Sequence, residues 1–209
     1  ACAPFRRLHL CHHNLESIDT TSTTSDTLLA EVCLAAKHEG QSLVEQYEEH
    51  KKKNRDFNTN LCTVLARSFA DIGDMVRGRD LYGGSKKEKE KRKQLDENLK
   101  TIFGNIYEEL REEQTKRKRA KPKNGQALQA RYKGDGDNYF QLREDWWTAN
   151  RETVWKALTC NAPESAHYFK PSENNTQYFS NEYCGGKQEG YVQQTDYVPQ
   201  YLRWFEEWA

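Results

Sequence analysis

The chain has 209 residues, enough for one domain or one and a half with a real core. Only 35% of it is apolar and its mean hydropathy is −1.06, yet 5 Trp, 11 Tyr and 8 Phe supply the large buried areas that a disordered polar chain lacks. The 32 basic and 32 acidic side chains cancel overall but not locally: residues 85–123 hold 14 basic and 8 acidic groups, so the molecule is expected to be lopsided in charge.

In chain order, residues 1–24 read as a loop bearing Cys2, His9, Cys11, His12 and His13 and closing on a Thr/Ser tract. Ser25 or Asp26 is placed to cap a first helix whose apolar side is Leu29, Val32, Ala36, Leu43, Val44 and Tyr47, with Gly40 as a weak point. That helix runs out into Lys51, Lys52 and Lys53. A second helix, over about 58–77, puts Leu61, Leu65, Phe69, Ile72 and Val76 in one stripe and ends at Gly78, with Gly83-Gly84 marking a turn. A third, over about 86–120, aligns Leu95, Leu99, Ile102, Ile106 and Leu110 but is charged on its other faces, so only its middle can be core. Pro122, Asn124-Gly125 and Gly134–Gly136 make residues 121–138 a loop. The fourth helix sets Leu142, Trp146, Val154 and Leu158 on one side and closes at Cys160. Residues 161–196, rich in Asn, Ser, Gly and Tyr, read as a long irregular excursion without a convincing strand. A fifth helix starts near Pro199, which suits a first turn, and carries an apolar edge of Leu202, Phe205 and Trp208.

Six cysteines, Cys2, Cys11, Cys33, Cys62, Cys160 and Cys184, are widely spaced without a Cys-x-x-Cys pair. This suits disulfides in an oxidising compartment better than a zinc or redox motif. The second and fourth helices each carry a cysteine able to link them. A metal site from Cys2, His9, Cys11, His12 and His13 has the right ligand types, but the spacing matches no zinc finger. No run of 18 apolar residues and no signal-peptide pattern occurs.

Three basic clusters are the candidates for chemistry. They are Lys51, Lys52, Lys53 and Arg55; Lys86, Lys87, Lys89, Lys91, Arg92 and Lys93; and Lys116, Arg117, Lys118, Arg119, Lys121 and Lys123. A dense cationic strip binds polyanions by charge and counterion release. The competing reading is a solvated helix face, strongest for the first and third clusters, which sit at helix C-termini where the dipole favours cations. The 86–93 cluster sits at an N-terminus, against the dipole, although Glu88 and Glu90 soften that opposition. The neutral net charge and the cysteines disfavour nucleic acid. Trp146 lies on a core stripe, with Trp147 and Trp155 less determined. Arg67, Asp71, Asp74 and Arg77 have helical spacings suited to ion pairs and lack any sign of a catalytic cleft. Gly83-Gly84-Ser85-Lys86 has neither the ending nor the strand context of a phosphate loop. No cofactor is implied and the chain is not read as an enzyme.

The strings ACAPFRRLHLC (1–11), VCLAAKHEG (32–40), LARSFADIGDMVRGRDLY (65–82), LREDWWTANRETVWKALTC (142–160) and DYVPQYLRWFEEWA (196–209) closely resemble the Duffy-binding-like domains of Plasmodium. The alpha type, near the N-terminus of the variant erythrocyte membrane protein of Plasmodium falciparum, is the nearest resemblance. It implies an all-α, disulfide-stabilised helical bundle with long irregular loops, extracellular on the infected erythrocyte. On this resemblance residues 1–24 are a remnant of a first subdomain, 25–184 the helical second subdomain, and 185–209 a linker with the start of a third. It also implies a Cys62–Cys160 disulfide, with Cys33–Cys184 as the second pair and Cys2 and Cys11 free, joined to each other, or bonded outside the chain. The implied partners are erythrocyte or endothelial receptors, sulfated glycosaminoglycans or blood-group glycans in rosetting and cytoadherence, neighbouring domains of the same antigen, and antibodies. The alternative is a structural and antigenic spacer that positions a neighbouring receptor-binding module. On either reading the exposed helix edge at 202–208 and the leading cysteines are expected to be covered in the intact protein, so the chain alone is not expected to be an autonomous folding unit. Asn174-Asn175-Thr176 is a formal glycosylation sequon, a modification of which the implied parasite makes little use.

Overall fold

A computed structural model describes residues 2–11, 15, 17–54, 59–118, 131–132, 134–171, 176–184, 192 and 194–208. The entry of the chain is not all loop: after Pro4 a single turn, α1, spans Phe5–Leu8. Helix α2 spans Ser25–Lys53. Its cap is Thr24 rather than Ser25 or Asp26: the Thr24 hydroxyl accepts from the Thr27 amide at 3.3 Å, and Asp26 lies in the first turn, where its charge complements the dipole. Helix α3, Leu61–Arg77, is capped by Asn60, whose side chain accepts from the Cys62 amide at 2.8 Å, and stops at Gly78 in the left-handed region at φ 72°. Helix α4, Lys86–Lys118, begins with a reciprocal capping box between Ser85 and Glu88. Helix α5, Phe140–Thr159, is started from a distance, because the Asp135 carboxylate accepts from the Gln141 and Leu142 amides at 2.6 and 2.9 Å. Helix α6 spans Gln200–Trp208.

Helix α3 is the centre of the molecule. Beyond the expected stripe of Leu61, Leu65, Phe69, Ile72 and Val76, its polar residues Ser68, Asp71, Asp74 and Arg77 are buried as well. It runs antiparallel to α5. Arg143 Nε donates to the Val76 carbonyl at one end of the contact, and Phe69 packs on Trp147 and Trp155 farther along, each with ring centroids 5.1 Å apart. Trp146, Trp147 and Trp155 are all core. Helix α2 lies along α5 in the same direction, with Trp146 Nε1 donating to Ser25 Oγ and Gly40 meeting Leu158. Gly40 is therefore a close contact and not a weak point: a Cβ there would stand 1.8 Å from the Leu158 carbonyl oxygen. Helix α4 contributes Leu95, Leu99, Ile102, Phe103 and Ile106 to the core, with Leu110 partly buried, so its middle packs and its ends project.

Two expectations are corrected. The excursion after α5 contains an antiparallel hairpin, β1 over His167–Pro171 and β2 over Thr176–Tyr183, with Phe169 opposite Tyr178 and Lys170 opposite Gln177. Its residues, HYFKP and TQYFSNEY, carry no apolar alternation, so pairing rather than composition makes the strands. The second correction follows from the first. Cys62 is bonded to Cys184, with Cα atoms 5.6 Å apart, and neither Cys62–Cys160 nor Cys33–Cys184 is formed. The Cys184 amide donates to the Ala166 carbonyl at 3.0 Å, so the base of the hairpin returns Cys184 to the start of α3. Cys160 remains exposed at the end of α5. The side-by-side packing of α3 and α5 stands without that covalent link. Cys33, midway along α2, is a half-buried free thiol whose pKa burial pushes up. Cys2 and Cys11 are also free.

Candidate receptor-binding surface

The start of α4 is cationic because residues 86–93 hold six basic side chains against Glu88 and Glu90. Glu88 accepts from the Ser85 amide at 2.6 Å and from the Tyr82 hydroxyl at 3.0 Å, and the Ser85 bonds, with that of Tyr82 behind them, hold its carboxyl below the ordinary range. Glu88 is thereby committed to the helix terminus, leaving Lys86, Lys87, Lys89, Lys91 and Lys93 exposed around it. The i, i+4 spacing sorts four of these into two pairs on two sides of the helix. Lys89 and Lys93 border a hollow of about 280 Å³ against Met75 and Leu99. Lys87 and Lys91 border another of about 290 Å³ against Leu8, Leu10 and Tyr82.

Arg92, counted with the cationic cluster, has a different job. Its guanidinium lies over the Tyr82 ring at 5.4 Å, donates to the Asp80 carbonyl at 2.8 Å and pairs with the Asp80 carboxylate at 3.1 Å. Arg7 reaches the same carboxylate and the Tyr82 ring, so Arg92 is part of a structural clamp.

The described part of the 116–123 cluster is not continuous with this surface. Lys116, Arg117 and Lys118 lie in the last turn of α4, and Arg119, Lys121 and Lys123 fall outside the described residues. From Lys93 to Lys116 the helix rises about 35 Å, so Lys116, Arg117 and Lys118 form a patch separate from the lysines at the start of α4. At the end of α2, Lys51, Lys52 and Lys53 are exposed, with Lys53 paired to Glu49 at 2.8 Å; Arg55 lies outside the described residues. His12 and His13, which have ligand chemistry but no finger spacing, do too, and among the described residues no group of three or more metal-ligating side chains converges.

The ion pairs of the Arg67–Arg77 stretch reach well beyond their own helix. Asp71 accepts from Arg6 at 2.8 Å, from Arg203 at 2.8 Å and from Gln200 at 3.2 Å, joining α1, α3 and α6 at one buried carboxylate. Asp74 takes Arg77 at 2.9 Å and Arg203 at 2.5 Å. Asp196, in a short 3-10 turn before α6, is held by Trp147 Nε1 at 2.8 Å and by Arg151 at 3.0 and 2.6 Å. Arg143 is fully buried, and its donors cap the Met75 and Val76 carbonyls at the end of α3. Charged residues within an apolar helical pattern are the available signal, but their partners lie as far away in sequence as Glu206 is from Arg67.

Helix α6 is consequently inside out. Gln200, Arg203 and Trp204 face the protein, whereas Tyr201, Leu202, Phe205 and Trp208 are exposed, Phe205 by 70%. The first and last segments meet there, with Phe5 and Trp208 rings 6.1 Å apart and Trp208 Nε1 donating to the Cys2 carbonyl at 2.8 Å.

Comparison with known proteins gives this surface its context. The Duffy binding domain matches residues 1–203. The Duffy receptor beta form of Plasmodium knowlesi is 23% identical over 211 residues, covering 100% of this chain and 14% of the relative. The Duffy receptor of Plasmodium vivax (strain Salvador I) is 22% identical over 160 residues, 75% of this chain and 12% of that protein. The chain thus spans only about a seventh of these curated relatives. Among solved structures, the NTS-DBL1(alpha-1) domain of the Plasmodium falciparum membrane protein 1 (PfEMP1) from the varO strain is 44% identical with a TM-score of 0.74, covering 100% of this chain and 43% of that one. The ICAM-1-binding PfEMP1 IT4var13 DBLbeta domain is 33% identical with a TM-score of 0.66, over 97% of this chain and 41% of that one. A match across nearly the whole chain, joined to 44% identity with an alpha-type structure, leaves one assignment: the chain belongs to the Duffy binding domain family, among the alpha-type Duffy-binding-like domains of PfEMP1.

Proposed function

We propose that this domain is an adhesion module on the surface of the infected erythrocyte, that it captures host erythrocyte or endothelial receptors, and that sulfated glycosaminoglycans bind at the start of α4. The observation that carries this reading is the set of Lys86, Lys87, Lys89, Lys91 and Lys93, exposed together while Glu88 is occupied by capping. Three relatives support the adhesive role: the two Duffy receptors are named as receptors, and the IT4var13 domain is described as binding ICAM-1. Blood-group glycans and antibodies are further partners of the same exposed surface. Lysines bordering two hollows suit sulfate groups spaced along a chain, since each is a mobile point charge with three donors.

Retention on immobilised heparin tests the site. Binding should weaken steeply with salt. Changing Lys87, Lys89, Lys91 and Lys93 together to Gln should reduce both retention and its salt dependence, whereas changing Lys116, Arg117 and Lys118 to Gln should leave most of the retention. Unchanged elution of the first variant, folded by circular dichroism, would return those lysines to a solvated helix face.

A second reading, in which the domain is a spacer positioning a neighbouring module, is favoured by the exposed apolar edge of α6. Leu202, Phe205 and Trp208 together with Phe5 form a surface suited to another protein element.

A further inference from the structure

Lys87 and Lys91 rim a hollow of about 290 Å³ between α1 and the start of α4, at the lower edge of the size range of small-ligand sites. Its floor is apolar. Leu10, Met75 and Leu95 form that floor, and Leu8 stands at its edge with 41% of its surface exposed. The rest of the lining is mainly cationic: Arg7, Lys87, Lys91 and Arg92 are set against one acid, Glu88, among the described residues. Arg7 and Arg92 lie over the Tyr82 ring at 4.8 and 5.4 Å and both pair with the Asp80 carboxylate. Glu88 is occupied by the Ser85 amide and the Tyr82 hydroxyl. A small greasy cleft thus opens under two lysine ammonium groups.

We propose that this hollow binds a free single-chain anionic amphiphile, an alkyl or acyl chain ending in a phosphate, with the chain against Leu8, Leu10, Met75 and Leu95 and the phosphate at Lys87 and Lys91. Each half of the ligand answers one half of the site. Burying the chain removes apolar surface from water, and lysine ammonium groups are point charges with three donors each for a tetrahedral headgroup. A sulfated sugar chain answers only the lysines and leaves the floor wet. A peptide fits less well, because its amide groups need partners and those of the hollow are taken. The Ser85 amide and the Tyr82 hydroxyl donate to Glu88, and Arg7 and Arg92 are held by Asp80. A lipid kept in a bilayer would have to leave it to reach the floor. The site shares Lys87 and Lys91 with the polyanion surface but does not rest on that reading, since the apolar floor is what selects this ligand.

Calorimetry on the whole chain, below micelle-forming concentrations, tests this with butyl, hexyl and octyl phosphate. Inorganic phosphate supplies the headgroup alone, and octyltrimethylammonium the chain with the opposite charge. Affinity should rise about two- to fourfold per added methylene, and neither control should match octyl phosphate. Leu8→Gln should weaken octyl phosphate about three- to tenfold and, because it keeps every cation, should leave heparin retention unchanged. Changing Lys87 and Lys91 together to Gln should weaken it by at least about tenfold. The proposal is overturned if affinity is independent of chain length, if octyltrimethylammonium binds as tightly, or if folded Leu8→Gln binds octyl phosphate normally. Co-sedimentation with phosphatidylserine-containing vesicles that Leu8→Gln abolishes would overturn it in favour of a membrane surface. Should Leu8→Gln fail to fold, the chain-length series decides. Heparin retention without octyl phosphate binding strikes this proposal alone, and octyl phosphate binding without heparin retention strikes only the polyanion reading.

Discussion

Asp71 shows what one side chain does here. It is fully buried, and burial by itself would raise its carboxyl, but Arg6 and Arg203 outweigh that and leave its pKa below the ordinary value of 3.8. Asp74, a turn away, is pushed the other way: burial raises it despite Arg203 and Arg77. Removing the Asp71 charge takes one of two carboxylate partners from each of two guanidinium groups, leaving Arg6 with Glu207 and Arg203 with Asp74, so Asp71→Asn should destabilise the domain by about 1–3 kcal/mol, read as a lower thermal midpoint at pH 7. The sign with pH follows from the depressed folded pKa. The Asp71 contribution is complete above 3.8 and is lost as pH falls through the folded value. The gap in thermal midpoint between the parent and Asp71→Asn should therefore shrink below pH 3.8; a constant gap would show that the carboxylate charge is not what the network needs.

At the scale of elements, the decisive contacts are places where helices approach too closely for an ordinary side chain. Gly40→Ala puts a methyl against the Leu158 backbone, which cannot swing aside as a side chain can, so α2 and α5 must separate. A loss of at least about 2 kcal/mol in urea unfolding is expected, by the overpacking mechanism and contrary to the gain that Ala gives in an open helix. The helices themselves were legible in the sequence. The 3.6-residue pattern located all five long ones, and Ser85 with Glu88 supplied a start signal for α4 that the charge reading saw only as a softening acid. The hairpin was not legible, because a strand is made by its partner and the 161–196 stretch has no apolar alternation to announce one. The inward polar face of α6 was also hidden. Leu202, Phe205 and Trp208 look like a core edge until Asp71 and Asp74 are found beneath Arg203.

Across the whole molecule, one cross-link spans 122 residues and ties the hairpin to the start of α3. A closed loop of that length stabilises by about 4–5 kcal/mol in chain-entropy terms. Cys184→Ser should accordingly lower the thermal midpoint strongly, whereas Cys160→Ser should leave it nearly unchanged. Non-reducing peptide mapping should recover Cys62 joined to Cys184, and a Cys62–Cys160 peptide would restore the connectivity that the family resemblance implied.

The sequence by itself determined the helical class, the positions of the long helices, the family and the places where cations cluster, because these depend on local periodicity and on strings of adjacent residues. Only the tertiary structure decided which cysteines bond, that Arg92 is a clamp rather than a binding group, and that Lys116 lies about 35 Å along α4 from Lys93. Each of these depends on the distance between residues far apart in the chain, which packing sets and periodicity does not record.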